Sequence, residues 1–333
     1  MSMAIATVAR RRCRPAFLVA LALAAFAAMP WSVAAEDYPQ HAVKIVVPYP
    51  AGGSADALPR IVGDWLSRKW GQPVVIENRS GAGGNVGAEV VAVAPPDGYT
   101  LLGTAPAPLA INQNLYPKLA FDPAAFVPIT VMARIPNALL VSRKVTATSV
   151  AELIADARAN PGKLSYGSQG IGTTSHLSAE LFKSMAGIEA VHVPYRGSAP
   201  ALNGLLAGDV DFSFDNLGSA AGLISSGSVK VLAVASAQRL PAFAQAPTVA
   251  KTLPGFVSDT WFAIAAPPKT PAALAERISR DIAAALRQPE VIARYATLSA
   301  EPGGDDPTAT RAFIREETER WAKVIKAAGI KME

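Results

Sequence analysis

Cysteine is all but missing. The 333 residues include one, Cys13, so no intramolecular disulfide and no multi-cysteine zinc site can form. Histidine is nearly as scarce. His41, His176 and His192 are the only three, and their spacing fits no metal-binding pattern, so no metal is expected. No stretch concentrates Lys and Arg with aromatic residues, which argues against a nucleic-acid partner. No apolar run of 18 residues occurs after residue 35, so nothing there reads as a membrane span. Cofactor and nucleophile signatures are missing too. Gly81-Ala82-Gly83-Gly84-Asn85-Val86-Gly87 places its last glycine one residue late for G-x-G-x-x-G, and there is no P-loop. Gly167-Ser168-Gln169-Gly170 lacks the G-x-S-x-G spacing of a nucleophile elbow.

What is present begins with an amino-terminal segment unlike the rest. Arg10, Arg11, Arg12 and Arg14 precede an apolar run from Ala16 to Ala28, and Ser32-Val33-Ala34-Ala35 supplies small residues. This reads as a secretory signal, residues 1–35, cleaved after Ala35. The adjacent arginines leave both the general and the twin-arginine export routes open. Removing the four arginines takes the formal charge from +5 to +1, so the basic balance of the whole chain says nothing about partners. Cys13 precedes the apolar run, is no lipoprotein cysteine, and leaves with the segment. The expected product is exported and soluble.

The stretch around which the remainder is organised is Val46-Val47-Pro48-Tyr49-Pro50-Ala51-Gly52-Gly53-Ser54-Ala55-Asp56. The apolar, β-branched Val43–Val47 reads as a buried strand, and Leu58, Ile61, Val62, Trp65 and Leu66 recur at helical spacing. The glycines therefore lie between a strand's carboxyl end and a helix's first turn, where open α/β sheets bind ligands. Ser54 is the expected N-cap. The free N–H groups of the first helical turn favour an anion.

Strand and helix patterns then alternate. Strands are expected at 73–78, 99–104, 164–168, 191–195, 210–214, 229–235 and 260–266. Between them fall helices, including one capped by Thr148 or Ser149 and one starting near Thr173. Residues 129–141 are apolar but interrupted by Arg134, Pro136 and Asn137. Two long helical patterns, 271–296 and 307–328, close the chain. Alternating βα units predict an α/β fold of mainly parallel sheets flanked by helices. Two successive blocks predict two lobes, 36–138 with 259–333 and 139–258, joined by two hinge crossings with a ligand cleft between them.

Six Gly- and Ser/Thr-rich loops follow strand ends. Three belong to lobe one: Tyr49–Asp56, Ser80–Gly87 and Thr104–Pro108. Three belong to lobe two: Ser168–Ser175, Tyr195–Ser198 and Asp215–Ser219. Facing one another, they would line a cleft with backbone N–H groups and hydroxyls, which suits a small carboxylate held by neutral donors and water. Candidate binding residues are Tyr49, Ala51, Gly52, Gly53, Ser54, Gly83, Gly84, Asn85, Thr104, Ser168, Gly170, Thr173, Thr174, Ser175, Arg196 and Asp215. Arg196 can pair with a ligand carboxylate or with Asp215. Asp215 can accept from a ligand or cap the next helix. Asp56 reads as a structural residue holding the glycine loop. A rival from another class is an exported serine hydrolase using Ser168 or Ser175 with His176 as base. A packing role for His176 and His192 is the simpler expectation.

Three segments carry a family resemblance: Val47-Pro48-Tyr49-Pro50-Ala51-Gly52-Gly53-Ser54-Ala55-Asp56, Val75-Ile76-Glu77-Asn78-Arg79-Ser80-Gly81-Ala82-Gly83-Gly84, and Pro96-Asp97-Gly98-Tyr99-Thr100-Leu101-Leu102. Gly172-Thr173-Thr174-Ser175-His176-Leu177 and Val193-Pro194-Tyr195-Arg196-Gly197 continue it. The chain resembles the Bug family, the extracytoplasmic receptors of tripartite tricarboxylate transporters. The resemblance implies a periplasmic, non-catalytic, monomeric two-lobe solute-binding protein without cofactors. It also implies a small carboxylate ligand, with transporter membrane subunits or a sensor kinase as partner. Family ligands meet the loops matching Tyr49–Ser54 and Ser80–Gly87 in lobe one, and the positions matching Ser168, Gly170, Thr173, Thr174 and Asp215 in lobe two. One departure stands out: Ala105-Pro106-Ala107-Pro108-Leu109-Ala110 replaces a more polar stretch, which implies a less polar distal end.

Overall fold

The computed structural model describes residues 38–330. The expected export segment and Cys13 lie outside the described residues. From Val43 onward, strand and helix alternate. Strand β1 (Val43–Val47) leads through the glycine loop into helix α1 (Ser54–Trp70), then β2 (Val74–Asn78), α2 (Asn85–Ala92) and β3 (Thr100–Thr104). The long strand β4 (Val127–Val141) follows. It leads to α3 (Val150–Ala159), β5 (Ser165–Ser168), α4 (Thr174–Ala186), β6 (Val191–Pro194), α5 (Ser198–Ala207), β7 (Phe212–Asn216), α6 (Leu217–Ser225) and β8 (Lys230–Val234). Strand β9 (Asp259–Ala266), helices α7 (Ala272–Leu286) and α8 (Pro289–Thr297), the short β10 (Glu301–Pro302) and helix α9 (Pro307–Ala328) complete it.

The strands run in the order β2-β1-β3-β9-β4-β7-β5-β6, with β8 and β10 also paired to β4. Each outer part is parallel: β1 with β2 and β3, and β5 with β6 and β7. The middle is not. β9 is antiparallel to β3 and β4, and β4 is antiparallel to β7 and β8. The sheet is therefore mixed rather than mainly parallel. The cause is topological: β4 carries the chain out of the first half and β9 carries it back, so the two run side by side in opposite directions.

β4 is one unbroken strand through the Arg134, Pro136 and Asn137 interruption. Proline cannot donate to a ladder, and strands tolerate it at edges and irregularities. Here Pro136 stands where the partner changes: β4 pairs with β9 as far as Pro136–Asp259 and with β7 from Asn137–Asn216 onward. A second difference lies at 271–296, which is two helices. Gln288 is extended (ψ 134°) and Pro289 opens α8, as expected for the residue before a proline.

Burial follows the halves. Leu139, Tyr166, Phe182, Phe212, Phe214 and Phe256 form one apolar cluster beneath β5–β7. Val46, Leu102, Trp261, Ala263 and Ala265 form another beneath β1, β3 and β9. A third joins Ile111 and Leu115 to Leu177 of α4 and to Trp321 and Ile325 of α9. Fully burying each large side chain contributes about 1.5–3 kcal/mol.

Candidate functional site

The ends of β1, β3, β5, β6 and β7 converge on one cavity of about 470 Å³, walled by residues of both halves. From the first half come Pro48–Ala51 and Gly53–Ala55, Ser80–Gly84, and Ala105 with Ala107. From the second come Gln169–Ile171, Thr173, Thr174, Tyr195–Pro200, Asn216 and Ser219. Thr260 and Phe262 of β9 complete the wall. Among the expected site residues, Tyr49, Ala51, Gly53, Ser54, Gly83, Gly84, Gly170, Thr173, Thr174 and Arg196 line this cavity.

The first-half loop is braced from behind. The Asp56 carboxylate accepts from the Gly52 N–H at 3.2 Å, from Arg60 Nε at 2.9 Å and from Asn78 Nδ2 at 3.0 Å; Asn78 Nδ2 also donates to the Tyr49 carbonyl at 2.9 Å. Despite partial burial, these donors hold the Asp56 carboxyl below its usual range. Gly52 takes φ 98°, a region open to glycine and strained for other residues. Gly53, not Ser54, is the N-cap of α1. The Ser54 hydroxyl is free of capping because it faces Ser219 of α6, with the two oxygens 3.1 Å apart.

Gly84 sits at φ 93°, and a Cβ there would lie 2.9 Å from Pro108 Cγ and 3.4 Å from the Tyr49 hydroxyl. Only glycine lets the second loop pass this close. Ala82 and Gly83 leave N–H groups without an acceptor among the described residues. Asn85 turns away, accepting from Asn112 Nδ2 at 2.6 Å. Thr104 lies behind Tyr49, donating to the Ala105 carbonyl at 2.9 Å.

The second-half loop is braced differently. Ser168 is fully buried; its hydroxyl accepts from the Gly170 N–H at 3.2 Å and meets His192 Nε2 at 2.7 Å. His176 Nδ1 accepts from the Gly172 N–H at 3.3 Å, and its ring stacks on His192 with centroids 4.2 Å apart. Burial pushes His176 down to about 3 and His192 down to about 4, so both are neutral at neutral pH. Ser175 donates to the Phe214 carbonyl. Neither Ser168 nor Ser175 pairs with His176, and neither lines the cavity. The arrangement that the hydrolase reading requires is not formed.

Asp215 is completely buried. It accepts from Gln169 Nε2 at 2.7 Å, from the Ser198 hydroxyl at 3.1 Å and from the Asn216 N–H at 2.7 Å. Burial outweighs these donors and pushes the carboxyl up to about 7. Its role is to tie together the three loops that end β5, β6 and β7. It does not pair with Arg196. Arg196 is exposed, lines the cavity and has no ion-pair partner among the described residues. Beside it α5 begins with Ser198 and Ala199, whose N–H groups also lack acceptors among the described residues. No Asp or Glu lines the cavity among those residues. One unpaired cation, several free N–H groups and no acid make a site for an anion.

Thr260 and Phe262 went unrecognised as site residues in the sequence. They lie two apart in a strand and so share a face. The pattern was visible, but which face meets a cavity depends on where β9 inserts.

A mixed α/β sheet crossed out and back by β4 and β9, with a cavity at the strand ends of both halves, defines a periplasmic-binding-protein-type solute receptor. A family model described as the tripartite tricarboxylate transporter family receptor matches residues 58–330, and the chain belongs to that family. Among relatives, Protein BugT of Bordetella pertussis is 36% identical over 304 residues, covering 90% of this chain and 93% of that one. Among solved structures, R. palustris Rpa4515 with adipate is 41% identical with TM-score 0.86, covering 88% of this chain and 99% of that one. MatC from Rhodopseudomonas palustris with bound malate is 30% identical with TM-score 0.81, covering 86% and 100%. No helix among the described residues is long and apolar enough to cross a membrane.

Proposed function

We propose that the chain is a periplasmic receptor that captures a small carboxylate in this cavity, without turning it over, and presents it to the membrane subunits of a tripartite tricarboxylate transporter or to a sensor. The observation that carries this reading holds among the described residues: Arg196 is unpaired beside the free N–H groups of α5 and of the Ala82–Gly83 turn, in a cavity that no acid lines. The relatives bound to adipate and malate support the ligand class. The two halves act as lobes, 36–138 with 259–333 and 139–258, that close on the ligand. Contacts from both halves exist only when the cavity is shut, so binding shifts the equilibrium toward closure.

The test is a thermal-shift and calorimetric screen of aliphatic, aromatic and amino acids. At a ligand concentration near 100 times its dissociation constant, linkage adds about 2.7 kcal/mol, on the order of 5–10 °C in melting temperature. At least one carboxylate is expected to give such a shift and to be recovered unchanged. Shifts only with sugars, amines or metals would refute the ligand class, and consumption of a bound acid would restore the enzyme reading.

A further inference from the structure

The floor of the cavity is polar in a way the anion site does not explain. Thr174 at the start of α4, Asn216 at the end of β7 and Thr260 at the start of β9 line it. Behind them lie Asn137, Ser178 and Ser258, all fully buried. These residues form one hydrogen-bonded chain, and its direction can be worked out from the end that has no choice.

The Thr174 carbonyl can only accept, and the Ser178 hydroxyl donates to it at 2.6 Å. With its proton committed, Ser178 accepts from the Ser258 hydroxyl in contact with it. The Ser258 oxygen, its proton spent on Ser178, then needs a donor, and Asn137 Nδ2 supplies it at 3.1 Å while lying 3.3 Å from Ser178. That orientation turns the Asn137 carbonyl oxygen toward Asn216. The Asn216 side chain must therefore present its NH₂ group, which donates to Asn137 Oδ1 at 2.7 Å and to Thr260 Oγ1 at 2.7 Å. Both amide protons of Asn216 are spent inward. Its carbonyl oxygen has no donor among the described residues, on a residue that is only 4% exposed and lines the cavity.

We propose that this oxygen accepts a hydrogen bond from the ligand, and that the captured acid carries a hydroxyl group seated on Asn216. The inference rests on the carboxylate reading and narrows it to hydroxy acids. A neutral donor fits better than an ammonium. Arg196 adds positive charge to the cavity, and no carboxylate among the described residues lines it to balance a second cation. The one buried carboxyl nearby, Asp215, is turned toward Gln169, Ser198 and the Asn216 N–H. Without a ligand hydroxyl, water must fill the acceptor, so the hydroxyl's advantage is roughly tenfold in affinity rather than absolute.

The experiment compares matched acids by calorimetry on the mature chain: succinate with malate, propionate with lactate, phenylacetate with mandelate, and malate with aspartate for the amine. In the pairs that bind, the hydroxyl-bearing acid is expected to bind roughly tenfold tighter than its parent, and malate tighter than aspartate. In Asn216→Ala the hydroxyl preference, read as the affinity ratio within each pair, is expected to fall below about threefold. Should that variant fail to fold, the wild-type pairs decide alone. Parent acids binding as tightly as their hydroxy partners, or aspartate outcompeting malate, would overturn the inference and leave the carboxylate reading intact. If neither member of any pair binds, the hydroxy-acid inference falls, and the wider screen decides the carboxylate reading by itself.

Discussion

Ser54 and Ser219 hold one another across the cavity. Their hydroxyl oxygens are 3.1 Å apart, and the Ser54 N–H donates to the same Ser219 oxygen at 3.3 Å. Ser54 opens α1 in the first half and Ser219 belongs to α6 in the second. The pair links the two halves of the sheet, and under the proposed closure it belongs to the shut arrangement alone. Ser219→Ala is expected to weaken ligand binding about fivefold, the value of one hydrogen bond near 1 kcal/mol, while the ligand-free melting temperature stays put. A lower melting temperature with unchanged affinity would make the pair an ordinary fold contact.

Arg196 has no ion pair to lose among the described residues and is exposed. Arg196→Gln is expected to change stability by less than about 0.5 kcal/mol. Removing a charge-assisted hydrogen bond to the ligand costs roughly 1.5–3 kcal/mol, so calorimetry is expected to show affinity down at least tenfold. Unchanged affinity would mean that neutral N–H groups alone hold the anion.

Two glycines of the site are expected to respond differently. Gly53 has φ −95°, and a Cβ there would meet nothing closer than Ser198 Cβ at 3.8 Å. Gly53→Ala is expected to cost no more than about 1 kcal/mol, as alanine is a poorer N-cap than glycine, and the branched Gly53→Val to lose ligand affinity at the cavity wall. Gly84→Ala combines a positive φ with a 2.9 Å approach to Pro108 and is expected to cost about 1–3 kcal/mol in urea unfolding. Equal effects on folding from both alanines would contradict this assignment.

The pH dependence of stability contains two opposing slopes. Asp215, raised from 3.8 to about 7, binds its proton more readily folded than unfolded. Its contribution is complete below pH 3.8 and is lost as pH rises through 7. The stacked His176 and His192, lowered from 6.5 to about 3 and about 4, contribute fully above pH 6.5 and lose their contribution as pH falls through those values. Asp215→Asn removes the first slope alone. Its melting temperature is expected to climb more steeply than wild type between pH 4 and 6.5. Superimposed profiles would show that Asp215 titrates like a solvated carboxyl.

The sequence by itself determined the local elements that physical chemistry reads over short distances. Val43–Val47 forms a strand because its β-branched run suits a buried sheet, and the glycines at 52 and 53 leave its carboxyl end open. Thr173 and Ser149 cap their helices as hydroxyls at those positions do. The loops that wall the cavity were legible because each ends a strand and is rich in glycine and hydroxyls. Only the tertiary structure decided which of their residues face inward. Asp215 and Ser168 lie one residue from cavity-lining neighbours, yet both are fully buried as braces. Arg196 is released because Gln169 and Ser198 reach Asp215 first. The outward carbonyl of Asn216 follows from a hydrogen-bond chain that is anchored on the Thr174 carbonyl as acceptor and passes through Ser178, Ser258 and Asn137, residues from three distant parts of the sequence. Hydrogen-bond direction propagates through space from partner to partner, so it could be fixed only once β4, β7, β9 and α4 had met.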